Sequence, residues 1–140
     1  MNKTGPIIII EDDMDDQEVL HQIFGELNYG NKLIFFSDSV KALAYLTDTD
    51  IEPFLVMSDI NMPKLSGMEL REKIHNNAQL RLKCIPYLFF TTAANQRTVI
   101  DAYSHSIQGF FTKPDTYKDL VRVLGNIVEY WKDCHSPNVT

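Results

Sequence analysis

The chain has 140 residues, of which 44% are hydrophobic and 23% are charged, a composition typical of one globular domain and not of a disordered segment, a collagen-like repeat or a coiled coil. Thirteen basic and 19 acidic residues give a net charge of −6, which argues against binding to nucleic acid or to anionic membranes. Cys84 and Cys134 show no paired spacing, and no apolar run approaches the roughly 20 residues of a membrane span. We therefore expect a cytoplasmic protein with reduced thiols.

Short apolar runs alternate with amphipathic helical patterns along the chain. The runs, each predicted to be a strand, are Ile7–Ile10, Leu33–Phe36, Phe54–Met57, Tyr87–Phe90 and Phe110–Phe111. Five helices are predicted between and after them. The first is expected to be closed by Gly30, while Asp38 and Ser66 are expected to open the second and third. Alternation of this kind predicts an α/β fold, a doubly wound three-layer (βα)5 sandwich around a parallel sheet.

Acidic residues follow two of the predicted strands. Glu11 and Asp12 come after the first strand, and Asp59 comes after the third. In a parallel sheet these side chains converge at one edge, where two carboxylates about 4 Å apart repel by roughly 4 kcal/mol at an effective dielectric constant of about 20. A cation would relieve that repulsion, and oxygen ligands indicate Mg²⁺. Asp15 and Asp16 are interpreted differently, as stabilising the positive end of the first helix.

A hydroxyl and an ammonium group follow the remaining strands of the same edge. Thr91 ends the fourth strand, and Lys113 ends the fifth strand immediately before Pro114. A hydroxyl can donate a hydrogen bond to a phosphoryl oxygen, and an ammonium can pair first with a carboxylate and later with a phosphoryl group. Together with the three acids, these two residues predict a site for phosphoryl chemistry.

Four segments in this order resemble the receiver domain of two-component response regulators. They are IIIIEDDM from Ile7, SDINMPKLSG from Ser58, FTTA from Phe90 and GFFTKP from Gly109, and the resemblance covers roughly residues 6–132. It implies a receiver domain over residues 1–133, with a flavodoxin-like sheet order of 2-1-3-4-5. Residues 134–140, which include Pro137, are expected to be a loose tail.

The resemblance also implies roles for individual residues. Asp59 would accept a phosphoryl group from a sensor histidine kinase or a histidine phosphotransfer protein, with Thr91 and Lys113 contacting the phosphoryl oxygens. Mg²⁺ would be held by Glu11, Asp12, Asp59 and the backbone carbonyl of Asn61. The Lys113–Pro114 peptide bond would be cis.

The resemblance further implies that the output is a change of surface shape. Thr91 would move towards the phosphoryl group, and Phe110 would rotate into the space it leaves. This would bias a protein-docking surface formed by the fourth helix, fifth strand and fifth helix. Ala93 cannot orient an attacking water, so slow loss of the phosphoryl group is expected.

No output domain follows the receiver pattern in this sequence, so we expect a stand-alone response regulator that contacts a downstream protein and is not an enzyme beyond its own phosphotransfer. A homodimer is possible, and the sequence does not decide the oligomeric state. The alternative reading is a phosphate-independent pseudo-receiver adaptor. Three other classes fit less well. A haloacid dehalogenase-type hydrolase needs an acid where Asn61 stands, a flavodoxin needs an uncharged phosphate loop after the first strand, and a nucleotide hydrolase needs a P-loop.

Overall fold

The computed structural model describes residues 1–48, 50–92 and 94–137. Within these ranges, five parallel strands form one sheet in the order β2-β1-β3-β4-β5, which confirms the predicted fold. The strands are β1 (Ile7–Ile10), β2 (Leu33–Phe36), β3 (Leu55–Ser58), β4 (Tyr87–Thr91) and β5 (Gly109–Thr112). All residues of β1, β3 and β4 are buried, because these central strands are covered on both faces.

Six helices surround the sheet in the described part of the chain, one more than the sequence predicted. They are α1 (Met14–Leu27), α2 (Ser39–Leu46), α3 (Gly67–His75), α4 (Ala78–Leu82), α5 (Gln96–Ser104) and α6 (Tyr117–Asp133). The additional helix is α4, a five-residue helix in a segment that was expected to be a connection. The predicted fourth and fifth helices are therefore α5 and α6.

The core has one half on each face of the sheet, and alternate strand residues supply the two halves. Ile7 and Ile9 face α1 and α6, whereas Ile8 and Ile10 face α2 to α5. The first half is completed by apolar residues of the two helices that cover it, Leu20, Ile23, Phe24, Leu124, Ile127 and Val128. The second half includes Ala42, Leu46, Leu70, Ile74, Leu80 and Ala102.

Helix ends follow the capping residues of the sequence, with one exception. The side chains of Asp38 and Ser66 accept backbone hydrogen bonds at the starts of α2 and α3, as predicted. Gly30 does not close α1. The helix ends at Leu27, and Asn28 adopts the left-handed conformation, with a φ of 54°. The prediction failed because asparagine can also take this conformation, and it comes two residues earlier.

The chain ends pack against each other. Ser136 is buried and its hydroxyl donates to the carbonyl of Met1, while Met1 itself lies in the core beside α6. Residues 138–140 lie outside the described ranges, so the expected loose tail over residues 134–140 stays a prediction, although Ser136 within it is buried. Among the described residues, no helix has the length and apolar character needed to cross a bilayer.

Candidate functional site

Strand register brings the predicted site residues to one edge of the sheet. Ile10 of β1 is paired with Ser58 of β3, so the next residues, Glu11 and Asp59, are neighbours. The backbone N–H of Asp59 donates to the carbonyl of Ile10 at 3.0 Å. On the other side of β4, Lys113 follows β5, and its N–H donates to the carbonyl of Thr91 at 2.6 Å. Because the strands are parallel, residues that are far apart in the sequence therefore lie close together at the carboxyl ends of the strands.

The two oxygens of the Asp59 carboxylate are in different environments. Oδ1 accepts a hydrogen bond from the Thr91 hydroxyl at 2.6 Å and another from the Ile60 N–H at 2.7 Å. Oδ2 lies 3.5 Å from Nζ of Lys113. Since Thr91 is almost completely buried, its hydroxyl is aimed at Asp59 by the surrounding strand. Oδ1 is therefore committed to two donors, and Oδ2 is the oxygen left for further chemistry.

Lys113 lies at the centre of the charged groups. Its Nζ is 2.9 Å from Glu11 Oε2 and also 2.9 Å from Asp16 Oδ2. Sequence reasoning assigned Asp16 only to the end of α1, so this ion pair was missed. No spacing in the sequence could have revealed it, because α1 begins at Met14, and both Glu11 and Lys113 lie outside that helix.

Three carboxylates form a group that suits a divalent cation. Glu11, Asp12 and Asp59 each offer an oxygen, and these oxygens all lie within 4.8 Å of one another. No other group of three or more potential ligands from histidine, cysteine, aspartate or glutamate occurs among the described residues. An oxygen-only set that keeps one side open to water fits Mg²⁺, which prefers one or two carboxylates and retains several waters. Asn61, the further donor expected from the sequence, is exposed and lies two residues after Asp59.

Burial and charge shift the pKa values of the site in different directions. Burial raises the pKa of Glu11 to about 7, with Asp59 adding to the rise and Lys113 opposing it. Burial also acts to raise the pKa of Asp59, but the Thr91 hydroxyl, Lys113 and the Ile60 N–H outweigh it and hold this pKa below its usual value. The pKa of Lys113 is raised despite burial, because Asp16 and Glu11 stabilise the ammonium form. Asp59 is thus kept as a carboxylate beside a permanent cation.

Gly67 explains part of the motif that follows Asp59. A Cβ added to this residue would lie 2.2 Å from the carbonyl oxygen of Asp59 and 2.9 Å from Cα of Ile60. The N–H of Gly67 donates to the carbonyl of Ile60 at 2.8 Å. The start of α3 therefore lies directly against the backbone of the Asp59 loop, and only glycine permits this approach.

The remaining predicted residues have different outcomes. Phe110 is half-buried, with its ring 6.0 Å from that of Phe89 in an edge-to-face arrangement, so it lies beside α5 but not in the charged cluster. Ala93 lies outside the described residues. The expected cis bond before Pro114 is wrong for this structure, since no cis peptide occurs among the described residues.

Comparison with known proteins agrees with this geometry. The profile of the response regulator receiver domain family matches residues 7–124, which is most of the chain. The chain belongs to this family. It is therefore a signalling domain of two-component systems, as its motifs predicted.

The receiver is similar to relatives over nearly its whole length. It is 28% identical over 135 residues to response regulator Rcp1 of Synechocystis sp., an alignment that covers 93% of this chain and 90% of Rcp1. It is 29% identical over 129 residues to chemotaxis protein CheY-3 of Vibrio cholerae, with 92% and 95% covered. A crystal structure of the Mn²⁺-bound form of Rcp1 superimposes with a TM-score of 0.82 at 26% identity and covers 96% of this chain and 99% of that one.

Proposed function

We propose that this receiver accepts a phosphoryl group on Asp59 from a histidine kinase or a histidine phosphotransfer protein, and that it acts as a stand-alone response regulator. The arrangement of Asp59 carries the proposal: Thr91 and the Ile60 N–H bind one carboxylate oxygen, while Lys113 lies near the other. Alignments that span 90% or more of Rcp1 and of CheY-3 support the stand-alone form.

The chemistry follows from the difference between the two oxygens. Oδ2 of Asp59 attacks the phosphorus of a phosphohistidine, a P–O bond forms, and the P–N bond breaks with its electrons going to the imidazole nitrogen. The transferred group carries negative charge on its oxygens, and the Lys113 ammonium is placed to stabilise it. No proton has to leave Asp59 first, because its lowered pKa keeps it ionised.

Mg²⁺ is the proposed cofactor, with Glu11, Asp12 and Asp59 as the residues that would hold it and the Asn61 carbonyl as a fourth donor. The cluster of three carboxylates supports this assignment, as does the Mn²⁺-bound form of the related Rcp1. A bound divalent ion would supply charge neutralisation for the phosphoryl oxygens. In this proposal the three acids bind the cation, Lys113 balances the negative charge of the carboxylates, and Thr91 orients the Asp59 side chain.

The proposed output is a change in the surface formed by α5, β5 and α6. Thr91 already donates to Asp59, so after phosphorylation its hydroxyl would exchange Oδ1 for a phosphoryl oxygen. Phe110 packs against the half of the core that includes Phe89 and Ala102 of α5, and its ring carries no hydroxyl. The readout is then a steric change at the docking surface for a downstream protein, with no hydrogen bond from this ring.

The test is phosphorylation by acetyl phosphate with Mg²⁺, followed by intact mass spectrometry. We expect one phosphoryl group per chain, which treatment with base should remove. When Mg²⁺ is left out of the reaction, the phosphoryl group should not be added. Asp59→Asn should abolish the adduct, whereas Asp133→Asn, at an exposed residue that ends α6, should leave it unchanged. An unmodified wild-type protein that still binds its downstream partner would indicate the pseudo-receiver adaptor and contradict the proposal.

A further inference from the structure

Helix α5 is held very differently at its two ends. Near the C-terminal end, Ala102 is fully buried and Ile107 in the following turn is nearly so. Of the nine residues of α5, all of which are described, Ala102 is the one that is buried. Exposed residues occur in both halves, Arg97 and Ile100 in the first and Tyr103 and Ser104 in the second. The fully buried contact of the helix with the core is therefore made at Ala102, near its C-terminal end.

A buried arginine from another helix binds the fixed end. Arg71 of α3 is 6% exposed, and its Nε donates to the carbonyl of His105 at 3.0 Å. Its Nη2 donates to the carbonyl of Ser106 at 2.6 Å. These two carbonyls directly follow α5, where the helix leaves acceptors unpaired and the helix dipole is negative. Two charge-assisted hydrogen bonds at this point make a strong attachment.

The arginine is itself tied to the strand that carries the phosphoacceptor. Its guanidinium carbon lies 5.4 Å from the ring centroid of Tyr87, a residue that is 1% exposed. The Tyr87 hydroxyl lies 2.7 Å from Oγ of Ser58, and the Ser58 hydroxyl donates to the backbone carbonyl of Asp59 at 3.0 Å. The anchor for the end of α5 is thus part of the rigid centre of the sheet and not of the surface.

A groove of about 630 Å³ separates α5 from the segment that follows Asp59. It runs along the whole helix, because residues from both halves of α5 line it, namely Arg97, Thr98, Ile100, Asp101 and Ser104. The N-terminal end is capped by Asn95, an exposed residue whose side chain accepts from the Thr98 N–H at 2.9 Å. Both halves of α5 thus border open space, while the buried Ala102 and the Arg71 hydrogen bonds attach the C-terminal end.

We propose that Arg71 is the hinge of the output helix: it holds the C-terminal end of α5 in place while the N-terminal half moves over the groove. That phosphorylation triggers this motion rests on the proposed function of Asp59. The attachment of Arg71 to the end of α5 does not depend on that function. The motion is then a tilt about His105 and Ser106, and not a translation of the whole helix.

Amide hydrogen exchange of the unmodified protein tests the attachment. In Arg71→Met, which keeps a long side chain but removes the donors, we expect exchange of the amides from Ala102 to Ser106 to accelerate by about tenfold or more. The amides of Leu20 and Ile23 in α1 should change much less. Arg81→Met, at an exposed arginine on α4, should match the wild type.

A general loss of stability would accelerate exchange equally in α1 and α5, and that result, or unchanged exchange at the end of α5, would overturn the hinge. If Arg71→Met does not fold, Arg71→Lys carries the test, because its ammonium can reach one carbonyl. We expect it to give a smaller acceleration confined to the same amides, and wild-type exchange would count against the proposal.

Residual dipolar couplings with and without beryllofluoride and Mg²⁺ test the motion. We expect α5 to change its angle to the sheet while nuclear Overhauser contacts between the Arg71 side chain and Ser106 persist. Loss of those contacts, or no tilt although the Asp59 amide shows occupancy, would contradict the hinge. If the Asp59 amide shows no response, the proposed function fails, and the exchange experiment still decides the attachment.

Discussion

The close approach of α3 to the Asp59 loop makes Gly67→Ala a sharp test of how the site is built. The added Cβ would lie 2.2 Å from the Asp59 carbonyl oxygen, whereas ordinary contacts begin at 3.4 Å, so the backbones must separate by about 1 Å. The carbonyl oxygen of Asp59 and Cα of Ile60, which the added Cβ would meet, both belong to the backbone and cannot move aside as a flexible side chain would. Overpacking of this kind costs about 1–3 kcal/mol. For a domain of this size, we expect the melting temperature to fall by roughly 3–9 °C.

The matched control is Gly25→Ala in α1, where no atom lies within 4 Å of the added Cβ. Alanine is favoured over glycine inside a helix by about 0.5–1 kcal/mol, so this variant should be slightly more stable than the wild type. Urea unfolding followed by circular dichroism measures both changes. Because the shift in Gly67→Ala displaces Asp59, the rate of phosphorylation by acetyl phosphate should also fall. A Gly67→Ala protein with wild-type stability and a wild-type rate of phosphorylation would show that α3 does not pack against the Asp59 loop as described.

Three further experiments, with five substitutions in all, separate the roles of the residues at the site. Lys113→Met removes the ammonium from Glu11, Asp16 and Asp59. We expect calorimetry to show tighter Mg²⁺ binding, because the competing positive charge is gone, while phosphorylation becomes slower. Weaker Mg²⁺ binding would contradict the role of Lys113 as the cation that balances the acids. Asp12→Asn should weaken Mg²⁺ binding by roughly tenfold or more. Asp16→Asn, at a residue that pairs with Lys113, should change Mg²⁺ binding much less. Equal losses of affinity in the two variants would show that the cation does not bind at Glu11, Asp12 and Asp59. Thr91→Ala removes one hydrogen bond from Asp59, so the protein should still be phosphorylated without the change at α5, while Thr91→Ser should restore that change; both are read from amide spectra.

Sequence patterns predicted the parts of this structure that depend on local signals and on sheet topology. The run of isoleucines in β1 predicted a strand covered on both faces, and parallel pairing then required Glu11 and Asp59 to meet. The ends of the fourth and fifth strands likewise predicted Thr91 and Lys113, which the structure places 2.6 Å and 3.5 Å from the Asp59 carboxylate.

Long-range side-chain contacts could not be predicted in the same way. The reach of Asp16 to Lys113 depends on the angle at which α1 leaves the sheet, and periodicity does not contain that angle. The attachment of Arg71 to the end of α5 joins residues 34 and 35 positions apart, and no local pattern connects them. The helix α4 was missed because a five-residue helix is too short to show a periodic apolar stripe.

Chemical mapping of the phosphorylated residue decides whether Asp59 is the phosphoacceptor. Borohydride reduces an acyl phosphate on aspartate to homoserine, so protein treated with acetyl phosphate and Mg²⁺ can be reduced, digested and sequenced by mass spectrometry. We expect homoserine at position 59 alone. Homoserine at Asp12 or at another acid, with Asp59 unmodified, would contradict it.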